Sequence, residues 1–135
     1  MSRLSAFKSA AVVLSDEDLA AIINTPTTTF INSAATTNAT SIKASPGTLW
    51  SVVANNTNAA IRYLKLYNKA SAPVVGTDVP VLTLHLPISN NAAVPIGSNG
   101  IRFSAGIAIA LTVSPGDSAT DAVAANEIKA AISFT

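Results

Sequence analysis

The chain predicts an all-β fold: a two-sheet β-sandwich of jelly-roll type, with about eight short strands behind a short N-terminal arm. Three observations carry this. Turn signals recur at fairly even spacing from Thr27 onward, at Ser45-Pro46-Gly47, Ala72-Pro73, Gly76-Thr77-Asp78, Ser98-Asn99-Gly100 and Ser114-Pro115-Gly116-Asp117-Ser118. The runs between them alternate with period two, so each gives one apolar face, and two such sheets must pack face to face. The composition agrees, with 49% hydrophobic but only 11% charged residues. Ser, Thr and Asn then supply the solvent face, whereas a disordered chain is usually charged and poor in apolar residues. An immunoglobulin-like sandwich is the runner-up, although the chain lacks the cysteine pair of many such domains.

Residues 1–24 read as the arm and 25–135 as the sandwich. In the arm, Ser15 followed by Asp18 resembles a capping box, and Asp16, Glu17 and Asp18 suit the first turn of a helix over 16–23 that Thr25-Pro26 ends. Phe30–Thr36 and Thr40–Ala44 read as the first strands. Thr48–Ala54 and Ile61–Tyr67 follow as a hairpin around a polar, exposed turn at Asn55–Asn58, with Trp50, Leu64 and Leu66 facing the core. Val79–Ile88 sets Leu82, Leu84 and Leu86 against Thr83 and His85, and Pro80 and Pro87 place its ends near an edge or bend. Asn99-Gly100 suits the centre of a type I′ turn before the short strand Ile101–Phe103. Gly106–Val113 alternates Ile107, Ile109, Leu111 and Val113 against Ala108, Ala110 and Thr112. The last strand, Glu127–Phe134, turns Ile128, Ala130, Ile132 and Phe134 inward and Glu127, Lys129, Ala131 and Ser133 outward.

Several function classes are disfavoured at once. The net charge of +1 offers no basic stripe for tracking phosphates, so no nucleic-acid partner is expected. A charge so near zero favours association instead. With no cysteine, disulfides and thiolate metal sites are excluded. Ala105–Val113, the longest apolar run, is strand-length, so no membrane span is expected. The run Ala10–Leu14 lacks the length of a secretory signal, and synthesis in a cytoplasm is the expectation.

Reactive side chains are sparse. His85 is the one histidine and sits mid-strand, where a solvent-face or interface role is simpler than general-base chemistry. Asp117 and Asp121 offer oxygen ligands for Ca²⁺, but their spacing matches no EF-hand loop and turn capping explains them. No P-loop or G-x-G-x-x-G is present. No catalytic residue, cofactor or metal is therefore expected. The outstanding surface is the row Tyr63, Lys65 and Tyr67 on one face of a strand, beside Arg62. Such a row serves a subunit contact, packs internally, or stacks a sugar, as a carbohydrate-binding module would use it.

The segments SIKASPGTLWSVVANNTNAAIRYLKLYNKAS (41–71), GTDVPVLTLHLP (76–87) and GIRFSAGIAIALTVSPGDSATDAVAAN (100–126) together resemble small virion structural proteins of tailed bacteriophages. The Tyr-Leu-Lys-Leu-Tyr-Asn-Lys run, the Gly-Thr-Asp-x-Pro loop and the Gly-Ile-x-Ile-x-Leu-Thr strand carry the similarity. The resemblance implies a β-sandwich subunit of the particle, such as a capsid decoration (cement) protein or a neck, tail or fibre-associated one. A decoration protein would be made in the bacterial cytoplasm, self-associate as a homotrimer and bind the phage major capsid protein on the virion surface. The expected contact residues are Leu4, Phe7 and Lys8 of an arm docked on neighbouring subunits, with Arg62, Tyr63, Lys65 and Tyr67.

Overall fold

The computed structural model describes residues 15–16, 25–94 and 96–135. Leu4, Phe7 and Lys8, and all of the expected helix beyond Asp16, lie outside the described residues. The rest is all-β. The strands are β1 (Thr27–Asn32), β2 (Thr40–Lys43), β3 (Gly47–Asn56), β4 (Arg62–Asn68), β5 (Leu82–Leu86), β6 (Asn90–Val94), β7 (Ile101–Phe103), β8 (Ile107–Thr112) and β9 (Ile128–Phe134).

One sheet runs β1-β9-β3-β6, with β7 also on β3, and the other runs β2-β8-β4-β5. Every pairing is antiparallel. β6 and β7 lie end to end along β3, opposite Val52–Asn56 and Gly47–Leu49. Taken as one interrupted strand, they leave each sheet with four strands. The orders become first-eighth-third-sixth and second-seventh-fourth-fifth, which is the jelly-roll arrangement.

The core fills the space between the sheets. Leu49, Val52 and Ala54 of β3 and Ile128, Ala130, Ile132 and Phe134 of β9 face Leu64 and Leu66 of β4 and Ile107, Ile109 and Leu111 of β8. Leu84, Leu86, Phe103 and Val123 close its margins. Each fully buried Leu or Ile contributes about 1.5–3 kcal/mol of hydrophobic stabilisation. The inward residues expected in β8, β9 and β5 are all found on this side.

Four local expectations are corrected. β3 and β4 are not a hairpin: β3 pairs with β9, β6 and β7, while β4 pairs with β8 and β5. Each is central in its own sheet, so the connection at 57–61 arches between sheets. Trp50 is half-buried rather than core, because the register slips between Leu49 and Ser51 and leaves it on a bulge. Its indole N–H donates to Thr135 Oγ1 at 3.1 Å. The turn before β7 closes from Gly97 O to the Gly100 N–H at 2.9 Å, so Ser98-Asn99 are its central residues. Gly100 has φ 64°, and a Cβ there would meet Thr48 Cγ2 at 2.5 Å. Glu127, expected outward, is buried.

Candidate functional site

The two outer faces of the sandwich differ in what covers them. On the β2-β8-β4-β5 sheet, β4 and β8 turn Tyr63, Lys65, Tyr67, Ala108, Ala110 and Thr112 outward. Two segments close over the middle of this face: 70–81, between β4 and β5, and 114–121, after β8. They meet at Gly76, whose φ of 89° and missing side chain admit Thr120 Cγ2 and Ser118 O.

Beneath them, Lys65 and Tyr67 are 0% and 1% exposed. Lys65 Nζ donates to Gly116 O and so ties the second segment to the sheet. Burial lowers its pKa, against the opposing pull of the Asp117 and Asp121 charges. Tyr67 packs on Ala108, Ala110 and Val75. Burial, then the nearby Asp78 and Asp117 charges, push its hydroxyl pKa up. That hydroxyl has no hydrogen-bond partner among the described residues. Both residues expected at an open contact are thus covered by the chain's own segments.

The segment 70–81 has its own anchor. Lys69 pairs with Asp78 Oδ2, which also accepts the Val74 N–H at 2.7 Å. The Lys69 hydrogen bond, helped by the Val74 amide, holds the Asp78 carboxyl below the usual range. Asp121 takes a hydrogen bond from Ser114 Oγ at 2.5 Å. Burial raises its pKa, but the Ser114 hydrogen bonds and the Lys65 charge outweigh that and hold it low. Among the described residues, no group of three His, Asp or Glu side chains is placed to hold a metal ion.

Arg62 is engaged internally as well. It pairs with Glu127 at 2.7 Å, with only 11% and 4% of the two side chains exposed. Glu127 Oε2 accepts the Ala124 N–H at 2.9 Å. Burial pushes the Glu127 pKa up, yet the Arg62 hydrogen bond, the Ala124 amide and the Arg62 charge together hold it below the usual value. Of the expected β4 residues, Arg62 and Tyr63 stay partly open, and Lys65 and Tyr67 are buried. Tyr63 sits beside β5 in register with His85. It meets the exposed His85 edge to face, with ring centroids 5.9 Å apart. His85 makes no hydrogen bond to a Ser or Asp among the described residues.

The outer face of the β1-β9-β3-β6 sheet is a different surface. The register lines up Phe30, Ala131, Val53 and Ala93 in one row across four strands. The next row is Asn32, Lys129, Asn55 and Asn91. Phe30 is 80% exposed and Val53 47%. With small Ala131 between them, they form a groove of about 480 Å³ with an amide-rich rim. Sequence reasoning missed this face. Its signal was present, because the alternation Thr28, Phe30, Asn32 puts a phenylalanine among the polar residues of its strand.

Chemically, these faces can bind; neither brings a nucleophile and a base together among the described residues. No described helix is long and apolar enough to cross a membrane. No family model matches the chain, and neither a curated protein nor a solved structure matches it.

Proposed function

We propose that the protein is a structural subunit of a tailed-phage virion, a capsid decoration (cement) protein that binds the assembled head through the outer face of the β1-β9-β3-β6 sheet. The observation that supports this is the open apolar row of Phe30 and Val53, flanked by the amides of Asn32, Asn55 and Asn91 and by Lys129. An exposed apolar patch rimmed by polar groups is the usual mark of a docking surface. The sandwich supplies the rigid platform and the arm, 1–24, a second point of attachment.

The mechanism is mass action. A ligand that binds only the assembled shell stabilises it by RT ln(1 + [L]/Kd), about 2.7 kcal/mol per site at a hundredfold excess over Kd. Repetition over many equivalent sites multiplies modest contacts. Adding the purified protein to undecorated shells and heating them tests the reading. Binding with a raised disruption temperature supports it, and the absence of both effects refutes it. A copy number of a dozen or fewer per particle points instead to the neck or tail.

One observation favours a carbohydrate-binding module as a second reading. Asn32, Asn55 and Asn91 set planar amides beside an exposed Phe30, a combination suited to sugar hydroxyls and ring faces. The Tyr63/Tyr67 face no longer suits that role, since Tyr67 is buried. Glycan-array binding lost on Asn55→Ala would establish it.

A further inference from the structure

A two-sheet sandwich has free sheet edges, and each invites another strand unless something blunts it. β5 is flanked by Pro80 and Pro87, which lack an N–H. β2 is only four residues long, carries Lys43 and has a register irregularity between Ser41 and Lys43. β1 has Pro26 just before its first residue but none of these devices within the strand. It reads Thr-Thr-Thr-Phe-Ile-Asn, without charge, proline or glycine, and its register with β9 is unbroken. Among the described residues, β9 is its only partner.

The groups that β1 leaves open can be identified. The Ser33 N–H donates to Ile128 O at 2.9 Å on the same register line. Alternation then turns the backbone groups of Thr27, Thr29 and Ile31 toward β9 and those of Thr28, Phe30 and Asn32 outward. This open set is symmetric about Phe30.

We infer that β1 is a self-pairing edge: a second copy of the chain adds antiparallel through its own β1 about a two-fold axis at Phe30. Phe30 then lies opposite Phe30 of the second copy, and Thr28 opposite Asn32. All the outward residues exchange both of their backbone bonds, about six in total. A shift of two residues leaves some of these groups unpaired, and a shift of one aims them past each other. No like charges meet, because the strand has none.

The two Phe30 rings become neighbours on the outer face, with Cα atoms about 5.5 Å apart. The apolar row then runs from Val53 of one copy through both rings to Val53 of the other, still facing outward. The contact is isologous, so it closes at a dimer and does not grow into a fibre. The contact is smaller than the roughly 800 Å² per partner of a standard interface, so the dimer fills at high local concentration. It goes beyond the virion reading and does not rest on it, since the dimer forms without a shell.

The absence of native cysteine gives a direct register test. Single-cysteine variants Phe30→Cys, Thr28→Cys, Asn32→Cys and Asn55→Cys, and the double variant Thr28→Cys/Asn32→Cys, are oxidised as full-length chains at about 1 mM. Cross-strand partners sit within disulfide range. Phe30→Cys and the double variant are expected to form covalent dimers on a non-reducing gel. The Thr28→Cys, Asn32→Cys and Asn55→Cys single variants stay monomeric, because residue 28 of one copy faces residue 32 of the other. The double variant keeps Phe30, so it guards against loss of the aromatic contact. These positions are exposed, and circular dichroism verifies that each variant folds. Absent cross-links in both Phe30→Cys and the double variant, or equal cross-linking in the controls, overturns the proposal. Failure to bind shells with the cross-links intact would count against the virion reading alone.

Discussion

Asn56→Ala, at the end of β3, is expected to destabilise the sandwich more than any single change in the adjoining 57–61 arch. The side chain is 0% exposed. Its Nδ2 lies within hydrogen-bond distance of Ala60 O at 2.9 Å and of Leu86 O and Pro87 O at 3.2 Å. Its Oδ1 accepts the Asn58 N–H at 3.0 Å. One amide therefore ties the end of β3, the arch itself and the end of β5. Its two protons satisfy at most two of the three carbonyls fully at once. Each buried polar group left without a partner costs about 1–3 kcal/mol. Removing the amide strips partners from at least one buried carbonyl and from the turn, so the loss is about 3–4 kcal/mol. For a chain of this length that lowers the melting temperature by roughly 10 °C. Urea and thermal unfolding followed by circular dichroism measure it, with Asn55→Ala as control. Asn55 is exposed, and its substitution costs less than about 0.5 kcal/mol. A loss below about 1 kcal/mol for Asn56→Ala, or equal losses for the two, would refute the reasoning, because a simple exposed hairpin turn treats both residues alike.

Four further outcomes follow from the structure. Tyr67→Phe removes a buried hydroxyl that has no partner among the described residues, so stability stays level or rises. Tyr67→Ala instead leaves a cavity over Ala108 and Ala110 and costs about 3–5 kcal/mol by denaturant titration. The Glu127 pKa is lowered in the folded chain, so its contribution is fully present above the unfolded value, about 4.3, and is lost as pH falls through the folded one. Glu127→Gln therefore flattens the acid side of the stability profile, as unfolding midpoints between pH 2 and 6 will record. Trading Phe30 for Ser leaves the melting temperature within about 2 °C of the parent, since the ring stands 80% exposed.

The sequence made the architecture legible where period two met strong turn chemistry. Ile107, Ile109 and Leu111 alternate cleanly, and so do Leu82, Leu84 and Leu86, so β8 and β5 announced their inner faces. The arch was misread because Asn55–Asn58 offers the same local chemistry to a hairpin and to a crossing between sheets. Only the long-range partners of β3 and β4 decide between them. β6 had little pattern to find: Asn90–Val94 is short, and β3 defines its register. Lys65 and Tyr67 looked open because their neighbours along the strand say nothing of segments 70–81 and 114–121, which close over them from elsewhere in the chain. The strongest surface signal went the other way. A phenylalanine between Thr28 and Asn32 on a polar strand face was readable from alternation alone, and it marks the groove.

Under the proposed function, docking belongs to the Phe30–Val53 row and not to the covered middle of the β4 face. The decisive measurement is therefore the disruption temperature of undecorated phage shells, heated with the parent chain, with Phe30→Ser and with Tyr67→Phe. The parent and Tyr67→Phe are expected to raise it equally, while Phe30→Ser, equally well folded, raises it little or not at all. Shells that ignore the parent chain, or that respond to Phe30→Ser as fully as to the parent, would contradict the account.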